Sequence, residues 1–286
     1  RGTRDTVDFV IAATGVLHHP RMPDLEGLED FRGACFHSAR WDHGVDLKGK
    51  RVGVIGTGAS AFQFIPRVAE EAGSLTVFQR TPPWMSPTPE YHEYVPVGKH
   101  WLLNHVPYYG KWFRFWMFWM TSEGLLSMVT VDPEWNERSD SVSADNDQLR
   151  QMLTDYIAEL CGDDEELKRK VIPQYPVGAK RMLRDDGTYL AALKRDDVEL
   201  VTDSIKRITP KGVETASQSH EFDVLIYGTG FHASKFLSPM EVVGRDGIEI
   251  HEQWNGDPRA YLGITVPNFP NLFMCYGPNT NIVVNG

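Results

Sequence analysis

The segment Gly56-Thr57-Gly58-Ala59-Ser60-Ala61 has the spacing G-x-G-x-x-A. Gly56 permits a tight turn, and Gly58 leaves the backbone bare enough for a pyrophosphate to approach. Ala61, in place of a third glycine, still lets a helix pack closely on a strand. The free N–H groups of the first helical turn and the positive end of its dipole then face the phosphates. Ser60 is a pyrophosphate donor or a helix cap in this reading, not a nucleophile. Downstream, Gln79-Arg80-Thr81 stands where a chain selecting NAD usually carries Asp or Glu to accept from the ribose 2′-OH. A carboxylate would repel a 2′-phosphate, whereas Arg80 can grip one through a charge-assisted, bidentate contact. The residues therefore point to NADPH, the plain alternative being an ordinary solvated charge at a strand end.

This chemistry needs strand, turn, helix and strand in that order. Lys50–Ile55 is a short apolar run suited to a buried parallel strand. Phe62, Phe64, Ile65, Val68 and Ala69 then mark the apolar face of a helix ending near Gly73, and Leu75–Phe78 reads as the second parallel strand. An internal echo supplies two more strands. Asp8–Gly15 and Asp223–Gly230 share an acidic start, an apolar run and a small-Thr-Gly exit. Before the second copy, Val198–Val201, Ser204–Ile208 and Val213–Thr215, with a Pro210-Lys211-Gly212 turn, predict a small antiparallel ribbon feeding a buried strand. Residues 84–173 read as a helical insertion covering or bordering the site; structureless loops of that length are rare in compact domains. Within it, Trp112–Met120 is almost wholly aromatic and apolar. Lys111, Arg114 and Glu123 interrupt it well short of the roughly 20 apolar residues of a spanning helix. It reads as a helix buried against the protein or lining a pocket, the alternative being an interfacial helix resting on a bilayer.

Just ahead of the first strand, Phe31, Gly33, His37 and Trp41-Asp42 follow the spacing F-x-G-x-x-x-H-x-x-x-W-D. On the residues alone this is an irregular segment in which His37 is a hydrogen-bonded anchor. The pattern resembles the fingerprint of class B flavoprotein monooxygenases, specifically the Baeyer–Villiger type. The related flavin-containing monooxygenases usually place Tyr or Phe where Trp41 stands. Ala13-Thr14-Gly15 and Gly228-Thr229-Gly230 resemble the paired strand exits where such chains cross between FAD and NADPH domains. Phe269–Phe273 followed by Gly277-Pro278 resembles their late FAD-domain segment.

The resemblance implies an α/β fold. A Rossmann-like NADP-binding domain (residues 18–227, linker 28–45) carries the helical insertion, with parts of an FAD-binding domain at 1–17 and 228–286. It implies that Thr14, Gly15, Gly277 and Pro278 lie on the FAD side. Lys180, on residues alone half of a basic surface pair, would join Arg80 and Thr81 around the 2′-phosphate. Arg181 would be the mobile catalytic arginine beside the flavin, stabilising a flavin C4a-peroxide and the adduct of a ketone. The implied reaction takes FAD, NADPH, O₂ and a carbonyl substrate to an ester or lactone. Oxygenation of an amine or sulfide is the nearest alternative. The family's first glycine-rich fingerprint is absent, so the chain reads as partial and as starting inside the FAD domain. It stops at Asn285-Gly286, after a glycine- and asparagine-rich turn. A non-catalytic NADP-binding module therefore stays open. A flavin-free dehydrogenase fits less well, because there is no Y-x-x-x-K pair.

Composition sets the remaining bounds. The 286 residues carry 29 Lys and Arg against 39 Asp and Glu, a net charge of −10, which disfavours nucleic acid as the main partner. Cys35, Cys161 and Cys275 lack C-x-x-C spacing, and His18, His19 and His43 lack partners at ligand spacing, so neither a disulfide framework nor a metal site is expected. With no signal-peptide pattern, a cytoplasmic location without membrane association is the default expectation. Oligomeric state is not legible.

Overall fold

The computed structural model describes residues 2–88, 91, 93–138 and 140–280, so the closing Asn285-Gly286 lies outside the described residues. Along the chain run β1 (Val10–Ala12), β2 (Ala34–His37), β3 (Arg51–Ile55), α1 (Ala59–Glu71), β4 (Ser74–Phe78) and β5 (Met85–Pro87). Four helices follow: α2 (Val97–His105), α3 (Tyr109–Val129), α4 (Ala144–Cys161) and α5 (Glu165–Val171). Then come β6 (Leu183–Asp185), α6 (Thr188–Leu193), β7 (Val198–Val201), β8 (Ile205–Thr209), β9 (Gly212–Thr215) and β10 (Ser219–Glu221). The last elements are β11 (Val224–Tyr227), α7 (Ile250–Trp254) and β12 (Leu272–Met274).

Two compact units divide the chain, at Pro23/Asp24 and at Gly228/Thr229. The sequence reading drew these boundaries at residues 17/18 and 227/228. In the larger unit, Asp24–Gly228, a fully parallel sheet has the order β2-β11-β3-β4-β7. Its central strands are apolar on both faces, as a sheet covered on both sides requires. Val52, Val54, Leu75, Val77, Val224 and Ile226 point to the helical side, where Phe62, Ile65 and Val68 of α1 and Tyr189 of α6 meet them. Ile55, Phe78, Leu225 and Tyr227 point the other way, onto Ile208, Val213 and Phe222 of the antiparallel ribbon β8-β9-β10. Two ribbon strands, β8 and β9, and the two echo strands thus stand where the sequence placed strands, but Val198–Val201 is not part of the ribbon: it is the sheet's edge strand β7, paired in parallel with β4.

Helices α2 to α5 lie in the chain between β5 and β6, and Leu149, Leu153 and Ile157 of α4 and Leu167 and Val171 of α5 share the unit's core. β5 and β6 themselves pair in parallel, with Leu183 N–H donating to Trp84 O at 2.8 Å. Trp84 is fully buried and its Nε1–H donates to Tyr175 O at 2.9 Å.

In the smaller unit, β1 pairs in parallel with β12 around Ala12, Phe236, Ile250, Trp254 and Phe269. Segments 19–21 and 230–232 run antiparallel in it, Arg21 N–H donating to Gly230 O and His232 N–H to His19 O. The two small-Thr-Gly exits share a geometry as well as a sequence, Gly15 at φ +70° and Gly230 at φ +77°.

Two further sequence readings are corrected. The fingerprint segment is not irregular: Ala34–His37 forms the edge strand β2, paired residue for residue with β11. The aromatic run does form a helix, but that helix is not buried, since Trp112, Phe115, Trp116 and Trp119 of α3 are all exposed. Isolated burial patterns cannot say which partner a helix has, and here only Met128, near the helix's C-terminal end, packs against the unit's core.

Candidate functional site

Ligands in open parallel sheets bind outside the carboxyl ends of the strands, where strand order reverses. In the larger unit that reversal lies between β3 and β11. Gly56 follows β3, Gly228 follows β11, Gln79-Arg80-Thr81 follows β4 and Thr202 follows β7. The sequence-predicted turn and strand-end residues therefore line one edge of one sheet.

Gly56 takes φ +104°, a conformation that side chains disfavour, and its N–H donates to Phe78 O at 2.9 Å, fastening the turn to the end of β4. Gly58 is the N-cap of α1. No side chain caps that helix, and no acidic residue stands in its first turn. A Cβ built on Gly58 would meet nothing within 4 Å, so the backbone there is open to an approaching group. Thr57 is buried, Ser60 is exposed and Ala59 lies between. Ala61 is fully buried, and a Cβ on Gly228 would come within 2.9 Å of its Cβ and 3.3 Å of Gly56 O. Helix, turn and β11 exit are packed as closely as small residues allow. These residues fit a pyrophosphate: uncommitted N–H groups, a positive dipole end and bare backbone converge on one open spot.

At the end of β4, Gln79 is buried. Its N–H donates to Val201 O at 2.8 Å and its Nε2–H to Lys170 O at 2.7 Å. Sequence reasoning passed over this residue, which ties β4 to β7 and to the end of α5. Arg80 and Thr81 then line a cleft of about 630 Å³ whose opposite wall is Glu166, Arg169 and Lys170 of α5, closed by Tyr175. Lys170 pairs with Glu166 at 2.8 Å, which holds the Glu166 carboxyl below its usual range. Among the described residues no carboxylate pairs with Arg80 or Arg169.

Lys180 does not line this cleft but touches Tyr175, which does. Its Nζ lies 4.8 Å from the centre of the Tyr175 ring, a cation–π contact. The Tyr175 hydroxyl donates to Pro82 O at 2.9 Å, and burial pushes its phenol above the ordinary range, so it stays neutral. Behind it, Asn146 is fully buried and donates through Nδ2 to Met128 O at 2.7 Å and Val177 O at 3.0 Å. The first bond ties α4 to the end of α3 and the second ties it to the loop carrying Lys180. Arg181, the next residue, is exposed and does not line the cleft.

The fingerprint residues support the sheet's edge. A Cβ on Gly33 would lie 2.5 Å from Asp223 O and 2.5 Å from the Phe31 ring, so only glycine lets the segment lie against β11. His37 is buried at the end of β2, its Nδ1 accepting from Ala39 N–H at 3.1 Å. Trp41 makes edge contacts with Phe36 at 5.0 Å and with Phe64 of α1 at 5.3 Å. Asp42 Oδ1 accepts from Gly44 N–H at 2.9 Å. This chain thereby braces α1, and with it the glycine turn, from the outside.

In the smaller unit, Thr14, Gly15 and Gly277 gather around a hollow of about 10 Å³, beside which Pro278 is buried without lining it. That is room for about one water. The described residues do not by themselves build a flavin cradle there. Among the described residues no cluster of His, Cys, Asp or Glu has metal-holding geometry.

Comparison with known proteins agrees with this architecture. The family model of flavin-binding monooxygenase-like proteins matches residues 1–94. The uncharacterized monooxygenase y4iD of Sinorhizobium fredii is 39% identical over 283 residues, covering 98% of this chain and 43% of its own. A Baeyer–Villiger monooxygenase of Pseudomonas aeruginosa is 37% identical, covering 99% and 51%. The crystal structure of OTEMO in complex with FAD and NADP superposes with a TM-score of 0.76 at 31% identity, over 97% of this chain and 57% of that one. The chain spans about half the length of these relatives. With its parallel sheet, glycine turn and fingerprint strand, it belongs to the flavin-binding monooxygenase-like family and resembles the Baeyer–Villiger members over nearly its whole length.

Proposed function

We propose that this chain provides the NADPH-holding part of a Baeyer–Villiger monooxygenase. Its carrying observation is the cleft at the end of β4, with Arg80 and Thr81 on one wall, Tyr175 closing it and Lys180 above Tyr175. The uncapped start of α1 would take the pyrophosphate. Arg80, Thr81 and Lys180 would take the 2′-phosphate, Arg80 as a planar donor fork and Lys180 as a compact charge. The resemblance, and relatives such as the FAD- and NADP-bound OTEMO, support both cofactors. FAD would supply the oxygen chemistry and NADPH the electrons, a ketone becoming an ester or lactone. Thr14, Gly15, Gly277 and Pro278 are proposed as the flavin-side wall, which the present residues only begin. Arg181 is proposed as the catalytic cation. Always charged, it would stabilise negative charge developing on a substrate carbonyl oxygen without itself exchanging a proton. The fingerprint residues Phe31, Gly33, His37, Trp41 and Asp42 are positioning residues in this reading.

The binding test compares NADPH with NADH. Arg80→Ala is expected to raise the Kd for NADPH roughly ten- to hundredfold while leaving that for NADH nearly unchanged. Equal losses for both would refute the 2′-phosphate role. For the reaction, a full-length protein containing this chain should bind FAD and consume NADPH and O₂ in step with ester or lactone formation. Steady sulfoxide or N-oxide production with no ketone turnover would move the assignment to heteroatom oxygenation.

A further inference from the structure

The helical excursion brings to the cleft a cation that neither the glycine turn nor the strand end accounts for. Lys168, Arg169 and Lys170 stand in a row on α5, just after the carboxylates of Asp163, Asp164, Glu165 and Glu166. Those carboxylates are largely spoken for. Asp164 caps the helix by accepting from Leu167 N–H at 2.8 Å, Glu165 pairs with Lys168 at 2.7 Å and Glu166 with Lys170 at 2.8 Å. Arg169 is the member of the row left without a carboxylate among the described residues, and it lines the cleft. Its Nε–H donates to Glu165 O at 3.3 Å, one turn back, so both terminal amino groups stay uncommitted among the described residues.

One buried bond fixes where Arg169 stands relative to Arg80. Gln79 precedes Arg80 and Lys170 follows Arg169, and Gln79 Nε2–H donates to Lys170 O at 2.7 Å. Gln79 is buried, and its own N–H is bonded to Val201 O, so the end of β4 and the end of α5 are pinned together. Each arginine is thus one position away from the same bond, and both line one cleft. Glu166 also lines it, but Lys170 already holds that carboxylate. Two guanidiniums gathered without a carboxylate of their own repel each other, and an anion lying between them relieves the repulsion.

We propose that Arg169 is the second grip on the 2′-phosphate, which lies between the Arg80 and Arg169 guanidiniums, so that the helical excursion as well as the sheet selects NADPH over NADH. The assignment rests on NADPH occupying this cleft. A phosphate monoester carries nearly two negative charges at neutral pH and three acceptor oxygens, enough for two planar forks at once. The 2′-hydroxyl of NADH carries no charge and gains little from a second guanidinium.

Titration of the chain with NADPH, NADH, adenosine 2′,5′-bisphosphate and AMP tests this. Arg169→Ala should weaken NADPH and the bisphosphate at least about tenfold, leaving NADH and AMP within about twofold. Arg169→Glu should weaken the first two further, because a carboxylate then faces the phosphate. Arg169 is exposed, so both variants should keep the parent's midpoint in urea. Arg80→Ala, measured alongside, separates the two readings. If it discriminates between NADPH and NADH while Arg169→Ala binds like the parent, the role of Arg169 is overturned and the cleft stands. If neither variant changes NADPH binding, the cleft is not the 2′-phosphate site and both readings fall. Equal losses on all four ligands would make Arg169 a structural residue and overturn the proposal as well.

Discussion

Gly228 shows how finely single residues set the crevice. A Cβ there would press to 2.9 Å from Ala61 and 3.3 Å from the Gly56 carbonyl, both parts of the turn that would receive a pyrophosphate. Gly228→Ala should therefore destabilise the unit by about 1–3 kcal/mol in urea unfolding and also weaken NADPH, because the turn must move to make room. Unchanged midpoint and unchanged affinity would show slack that the geometry denies. Arg80's position was legible because only Gln79 separates it from a strand that announces itself by an apolar run. Gln79 and Tyr175 were not. Gln79 acts through Lys170, 91 residues away, and Tyr175 through Pro82 and Lys180. No local pattern of hydrophobicity encodes such a contact.

Elements were readable where their period was complete. The run from β3 through α1 to β4 carries its own turn and its own apolar face, and the ribbon carries its own alternation. β2 was missed because Ala34-Cys35-Phe36-His37 neither alternates nor is rich in β-branched residues; its pairing is decided by β11. For α3 the helix was legible and its surroundings were not. Two predictions concern how the helical excursion is held. Asn146→Ala removes both bonds tying α4 to Met128 and Val177, at a cost of about 2–3 kcal/mol. It should raise the NADPH Kd by releasing Lys180, and a normal Kd in a destabilised variant would detach Lys180 from the site. Asp140 sits between Arg138 and the buried Arg150, and the Arg138 guanidinium holds its carboxyl below the usual range. The stabilisation is complete above the unfolded Asp value near pH 4 and is lost as pH falls through the depressed folded one. Acid unfolding of Asp140→Asn should lack that component, and at neutral pH the variant should be weaker by about 3 kcal/mol, since Arg150 loses its counter-charge.

At the scale of the molecule, every strand of the larger sheet lies between Asp24 and Gly228. That stretch expressed alone should fold and bind NADPH within about threefold of the whole chain. A cooperative unfolding transition and a titration check it; a molten product would show that the smaller unit is needed for the fold. The two halves of the helical excursion are committed differently. α4 and α5 share the core beneath the sheet, and α5 walls the cleft beside Arg80, so neither can be exchanged without disturbing the nucleotide grip. α2 and α3 place only Met128 against that core, and the entropic toll of lengthening their connections grows only logarithmically. Descendants of one ancestor could thus vary these first two helices while inheriting the same nucleotide grip, diversifying what they act upon without re-evolving what powers them.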